Sequence, residues 1–167
     1  FIFVMGGSFT VGTEEQPFLQ TAVITLHGSP VSKELPIYGA KVIACRRCTL
    51  DLHGKPTART WTRLNATAAT GATSMCFTQP VDWAVGSQLV VTSSGFDMNE
   101  AEQRTMTRLT HAGHCVGFDT PLEFEHLGET RSYAGRPVEL RAEVGLLSRN
   151  VVVQGNSMSP LDRHGGH

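Results

Sequence analysis

The sequence predicts an all-β chain, and three observations predict it. Apolar residues alternate with polar ones over short runs, and almost nowhere recur at helical spacing. The runs are bounded by Gly, Pro, Ser and Asp, which end strands and make turns. Four of them close on a glycine after a similar pattern: Phe9-Thr10-Val11-Gly12, Ile24-Thr25-Leu26-His27-Gly28, Leu50-Asp51-Leu52-His53-Gly54 and Val151-Val152-Val153-Gln154-Gly155. A repeated strand-and-corner unit of this kind suits the stacked coils of a parallel β-helix-like solenoid, with each glycine at a positive-φ corner. A β-sandwich also ends its strands at glycines, and on pattern alone both architectures stay open.

Taken in order, the first run, Phe1-Ile2-Phe3-Val4-Met5, is the longest apolar stretch and is strand-sized. It falls well short of the roughly 20 residues of a membrane helix. It also lacks the basic flank and cleavage site of a signal peptide. Alternation then places strands near Ser8–Val11, Ala22–Leu26, Lys41–Cys45, Thr49–Leu52, Trp61–Leu64 and Thr73–Phe77. More are expected near Gln88–Ser93, Arg104–Leu109, His114–Phe118, Val138–Val144 and Asn150–Gln154. One helical turn is expected at Met98–Gln103, where Asn99-Glu100-Ala101-Glu102 follows Gly95.

At 167 residues the chain suits one domain, and its formal charge of -1 gives it no electrostatic reason to bind nucleic acid. Arg46-Arg47 is the only adjacent basic pair. The chain does not begin with Met and closes on Arg163-His164-Gly165-Gly166-His167, so both ends read as cut from a longer polypeptide.

Longer ordered matches carry a family resemblance. Met5-Gly6-Gly7-Ser8-Phe9-Thr10-Val11-Gly12-Thr13-Glu14 and Ile24-Thr25-Leu26-His27-Gly28 resemble the start of the eight-glycine domain. Tyr38-Gly39-Ala40-Lys41-Val42-Ile43 and Thr49-Leu50-Asp51-Leu52-His53-Gly54-Lys55-Pro56 continue it. So do Trp61-Thr62-Arg63-Leu64, Val81-Asp82-Trp83-Ala84-Val85-Gly86 and Leu146-Leu147-Ser148-Arg149-Asn150-Val151. Its glycines fall on Gly7, Gly12, Gly28, Gly39, Gly54, Gly71, Gly86 and Gly95. Cys45-Arg46-Arg47-Cys48 departs from the pattern, because relatives have a small residue or glycine where Cys48 stands. The nearest likeness is to fibrocystin and fibrocystin-like proteins, which are very large single-pass surface proteins with receptor-like ectodomains.

The resemblance implies a domain over residues 1–155 that leads into right-handed parallel β-helix repeats, with residues 156–167 starting the next coil. It also implies a place on the extracellular face of the plasma or ciliary membrane, or secretion. A second branch, the hyaluronan-binding and hyaluronan-degrading surface proteins, implies an alternative in which the chain belongs to an enzyme.

Few residues suggest chemistry. Asn65-Ala66-Thr67 is an N-glycosylation acceptor in a loop-like setting. Cys45, Cys48, Cys76 and Cys115 are even in number, which in an extracellular chain favours disulfides. A zinc site would need a partner for Cys45-x-x-Cys48, and adjacent His114-Cys115 has the wrong spacing. Bonds from Cys45 and Cys48 to Cys76 and Cys115 are favoured over a direct Cys45–Cys48 bond.

His27 and His53 each precede a corner glycine, and Asp51 shares a strand face with His53. The three form a candidate acid/base or metal cluster if adjacent coils bring them together, and solvent-face decoration if not. No nucleophile elbow or phosphate-binding loop is present, so no cofactor or metal is expected. Trp83 is expected to pack a turn against the core and Trp61 to cap a strand. An exposed Trp would be able to stack on a sugar, but core packing is favoured.

The function expected is a non-catalytic structural and interaction module. Its partners would be protein or glycan ligands at the cell surface, or neighbouring ectodomains through self-association, with no membrane contact of its own. The enzyme alternative predicts a groove of acidic, His and Arg side chains around Asp51 and His53.

Overall fold

The computed structural model describes residues 1–28 and 31–156, and the chain divides into two units, Phe1–Pro56 with Arg149–His167, and Thr57–Ser148. The first unit opens with β1 (Ile2–Met5), β2 (Ser8–Val11) and β3 (Ala22–Leu26). The chain then passes through β4 (Ile43–Arg46) and β5 (Thr49–Leu52). β4 lies parallel to β1 and β5 parallel to β2. Ile2 stands opposite Ile43 and Ser8 opposite Thr49, so one offset serves both pairs (43 − 2 = 49 − 8). The corner between the strands is therefore repeated in register. Gly6 and Gly7 turn the first pass at φ 67° and 86°, and Arg47 turns the second at φ 52°. Further on, Phe18 bridges Gly54, again in parallel.

After Pro56 the pairing changes character. The second unit holds β6 (Trp61–Arg63), β7 (Ser74–Cys76), β8 (Gln88–Val91), β9 (Glu102–Thr110) and β10 (Cys115–Phe118). It continues with β11 (Gly128–Tyr133), β12 (Arg136–Arg141) and β13 (Glu143–Leu146). Six of these form an antiparallel sheet in the order β6-β13-β8-β9-β10-β7. Its outermost strands meet through a Leu64–Phe77 bridge. There the Asn65 N–H donates to the Cys76 carbonyl (2.8 Å) and the Thr78 N–H to the Arg63 carbonyl (2.9 Å). The sheet thus curls round one core of buried side chains that includes Leu64, Phe77, Trp83, Leu89, Val91, Met106, Val116 and Val144.

β14 (Val151–Gly155) then returns the chain to the first unit, parallel to β3, with Val151 opposite Ala22. Three strands of one pass, β1, β2 and β3, are matched in the same order by β4, β5 and β14 of a second. Asn150 fastens this return. Its Nδ2 donates to the carbonyls of Phe18 (2.6 Å) and Gln20 (2.7 Å), and its Oδ1 accepts the Lys55 N–H at 2.7 Å. Gly54 has to be glycine because a Cβ there would collide with the Asn150 side chain.

The all-β expectation holds, and the described residues contain 3-10 turns as their only helical elements. Parallel pairing is confined to the first unit, while residues 57–148 pair antiparallel throughout. Of the four expected corner glycines, Gly12 alone has positive φ (75°). The expected strand over Val138–Val144 is two, β12 and β13, parted at buried Ala142, whose N–H donates to the Leu127 carbonyl. β11 was not expected. The helical turn is a 3-10 turn at Met98–Glu100, capped by the Asp97 carboxylate, and Gln103 already lies in β9. The expected coil start over 156–167 lies, after Asn156, outside the described residues.

Candidate functional site

The expected polar cluster does not assemble. Asp51 Oδ1 and His53 Nε2 lie 3.9 Å apart on one side of β5 and its extension, both side chains more than a third exposed. A pair this open to water is worth little as an ion pair. His27 follows β3, whose partner is β14, whereas His53 donates its N–H to Val11 beside β2. The two histidines therefore belong to different strand pairs, and the Leu-His-Gly likeness does not stack them. Among the described residues no three His, Cys, Asp or Glu side chains are placed to hold a metal ion.

The four cysteines form two disulfides, but not the favoured ones. Cys45 bonds Cys48 across the Arg46-Arg47 corner, their Cα atoms 5.6 Å apart. Cys76 bonds Cys115, which stands directly opposite it in the β7–β10 ladder. The corner folds tightly enough to bring its own two ends together, and the second pair lies in the other unit. Asn65 sits exposed after β6, with its N–H and carbonyl both engaged, the carbonyl by Arg141 Nη1 at 2.6 Å. Thr67 of the same tripeptide accepts the Gly128 N–H. The side chain of Asn65 thus projects from a loop whose backbone is fixed.

The comparisons with known proteins bear on this frame directly. Residues 1–65 match the G8 domain family. Fibrocystin-L of Mus musculus is 42% identical over 154 residues, taking in 90% of this chain. Fibrocystin of Mus musculus is 34% identical over 152 residues, again 90% of this chain. The chain belongs to the fibrocystin-like, G8-domain family. It spans only 4% of the length of either relative, so the likeness is to one segment of each. Among solved structures, the tailspike protein gp49 from Pseudomonas phage LKA1 matches at TM-score 0.42 and 10% identity. That match covers 83% of this chain and 23% of the other, and is too weak to settle the fold.

The densest polar group in this G8-family chain was not visible in its sequence. Glu102, which begins β9, is buried with His126 and the Arg104 guanidinium. Its carboxylate accepts the N–H groups of Glu123 and Phe124, both at 2.9 Å, His126 Nε2 at 3.0 Å, and Arg104 Nη2. His126 Nδ1 faces the Thr92 carbonyl at 2.9 Å. The ring is thus held on both sides, by a backbone carbonyl at Nδ1 and by the Glu102 carboxylate at Nε2. Burial works to raise the Glu102 pKa, but the Glu123 N–H, His126, the Phe124 N–H and Arg104 together outweigh it and hold the pKa below the ordinary carboxylate value. A carboxylate with four donors and almost no exposure has no lone pair left for a substrate. The trio resembles acid/base machinery in composition, but its work is to hold the 121–127 segment against the curled sheet.

Proposed function

We propose that this chain is a non-catalytic structural and interaction module in the extracellular part of a large fibrocystin-like surface protein. In this reading its first unit is two coils of a right-handed parallel β-helix, and residues 57–148 are an insertion between the second and third strands of the second coil. The observation that carries the reading is the matched order of parallel pairs, β1 with β4, β2 with β5 and β3 with β14. A sandwich gives no reason for three successive strands to be repeated in order and parallel. Coils stack by completing one another's backbone hydrogen bonds. Strands β4, β5 and β14 would then receive the coil that begins in the residues after 155.

The module acts at the plasma or ciliary membrane, or in a secreted form, and its partners are protein or glycan ligands and neighbouring ectodomains. An N-glycan on Asn65 keeps one face of the insertion in water. Among the described residues no helix is long and apolar enough to cross a membrane.

The test is a longer protein that includes the following coils. The outward backbone amides of β4, β5 and β14 should gain protection from hydrogen exchange when those coils are added, and hyaluronan should keep its chain length with or without divalent metal. Unchanged protection in those strands would argue against stacking. Depolymerisation that vanishes in Asp51→Ala or His53→Ala would place the chain in an enzyme instead.

A further inference from the structure

Trp61 opens β6, where it was expected to cap a strand, but the favoured core packing does not follow: it is 52% exposed, whereas Trp83 is buried at 2%. It stands on the outer face of β6 while its neighbour Thr62 points into the core. Opposite Trp61 in β13 is Gly145, which has no side chain to cover the indole. Trp61 and Arg63, two apart on one strand face, line a cleft of about 410 Å³ together with Thr62, Thr78, Gln79 and Glu139. Arg63 lies with its guanidinium carbon 5.6 Å from the centre of the indole ring. It is held there by Glu139 (3.2 Å) and Glu143 (3.4 Å), and Arg141 meets Glu139 from the other side at 3.4 Å. Among the described residues neither the Trp61 indole N–H nor the Gln79 side-chain amide has a hydrogen-bond partner.

We propose that this cleft is a binding site for a neutral saccharide, with Trp61 as the stacking platform. A pyranose presents an apolar face of C–H bonds and a rim of hydroxyls. An exposed indole takes the first, and planar polar groups around it take the second. Here that rim is the Gln79 amide, the Thr78 hydroxyl, the Glu139 carboxylate and the indole N–H. The ion pairs keep Arg63 and Glu139 in fixed orientation, so little ordering is left for binding to supply.

Charge decides the class of sugar. Arg63 and Arg141 are balanced by Glu139 and Glu143, so a sulfated or uronate polymer gains no net attraction and meets two carboxylates. A protein partner is less well served, because one aromatic ringed by polar groups lacks the apolar surround of a protein hot spot. The site lies wholly within residues 57–148 and stands whether or not the first unit is a β-helix.

The experiment is a titration of the full chain, made in a host that adds no N-glycan. The probes are neutral tetrasaccharides built on glucose, mannose, galactose and N-acetylglucosamine, and the readout is the two indole N–H signals by NMR. At least one probe should move the Trp61 signal and leave that of Trp83 in place. Followed through the backbone amide signals of Thr62, Thr78 and Gln79, the same binding should weaken at least about tenfold in Trp61→Ala and a few-fold in Gln79→Ala, with melting temperature unchanged. The proposal is overturned if no probe moves Trp61 at about 10 mM. It is equally overturned if binding survives Trp61→Ala, or if only anionic polysaccharides or proteins bind there.

Discussion

Residues 57–148 bury Leu64, Leu89, Val91, Val116 and Val144 completely, whereas in the first unit Ala44 is the one described apolar residue buried to a comparable degree. There Leu50 and Leu52 are 40% exposed, Val23 is 52% exposed and Val153 is 37% exposed. The strands of the first unit are the more apolar set, yet they are the less buried, so the contrast comes from how the strands pair and not from their composition. Antiparallel neighbours curl until the sheet meets itself at Leu64–Phe77, which closes one face against water. Among the described residues the parallel pairs of the first unit gain their ladder hydrogen bonds but leave these apolar side chains partly in water. The second unit closes on itself, and the first does not.

The largest expected differences follow from the disulfides. The Cys76–Cys115 bond closes a 39-residue separation and the Cys45–Cys48 bond one of 3. In denaturant melts, replacing Cys76 and Cys115 by Ala should cost about 4 kcal/mol, against about 2 kcal/mol for Cys45 and Cys48. Equal costs would mean that the corner bond does more than shorten a loop.

Next comes Glu102→Gln, which leaves His126 and Arg104 buried without their anion and should destabilise residues 57–148 by about 3 kcal/mol. The pH dependence has a definite sign. The folded-state pKa of Glu102 is depressed, so its contribution is present above the unfolded value of about 4.3 and is lost as pH falls through the folded value. Melts of the second unit should be level from neutral pH to about 5 and then weaken in acid. That acid limb should flatten in Glu102→Gln, and a limb of the same depth would move the effect to other carboxylates.

A smaller change is expected from Asn150→Ala, which removes three hydrogen bonds from the first unit, at about 2 kcal/mol. The loss should appear in β3 and β14 and leave the Trp83 signals unmoved. The smallest belongs to Leu52→Ser, within about 0.5 kcal/mol in this chain because the side chain is already half in water. In a longer protein that stacks another coil on β5 the same change should cost more.

Much of the strand content was legible because alternation reports a half-buried surface directly. Ser8–Val11, Ala22–Leu26 and Thr49–Leu52 fall where expected. Alternation is blind to the direction of the neighbour, so it offered no sign that pairing turns antiparallel after Pro56. β11 escaped because Gly128-Glu129-Thr130-Arg131-Ser132-Tyr133 belongs to a largely exposed hairpin and has no apolar face to alternate.

The sites were less legible than the fold. Glu102 and His126 are 24 positions apart and meet only through the curled sheet, so no local spacing could announce them. Asn150 precedes its strand as an ordinary turn residue would, and its three bonds reach back to the first pass. The reading of Trp61 failed for the opposite reason. An aromatic at a strand start usually packs inward, and the inward position here is already taken by Thr62, with Gly145 leaving the outer face bare.

Native-state hydrogen exchange on the whole chain tests the contrast most directly. The amides of β8, β9 and β13 should exchange at least about a hundredfold more slowly than those of β2, β5, β3 and β14. Equal protection in the two sets would contradict the account, because it would show the first unit to be as complete by itself as the second.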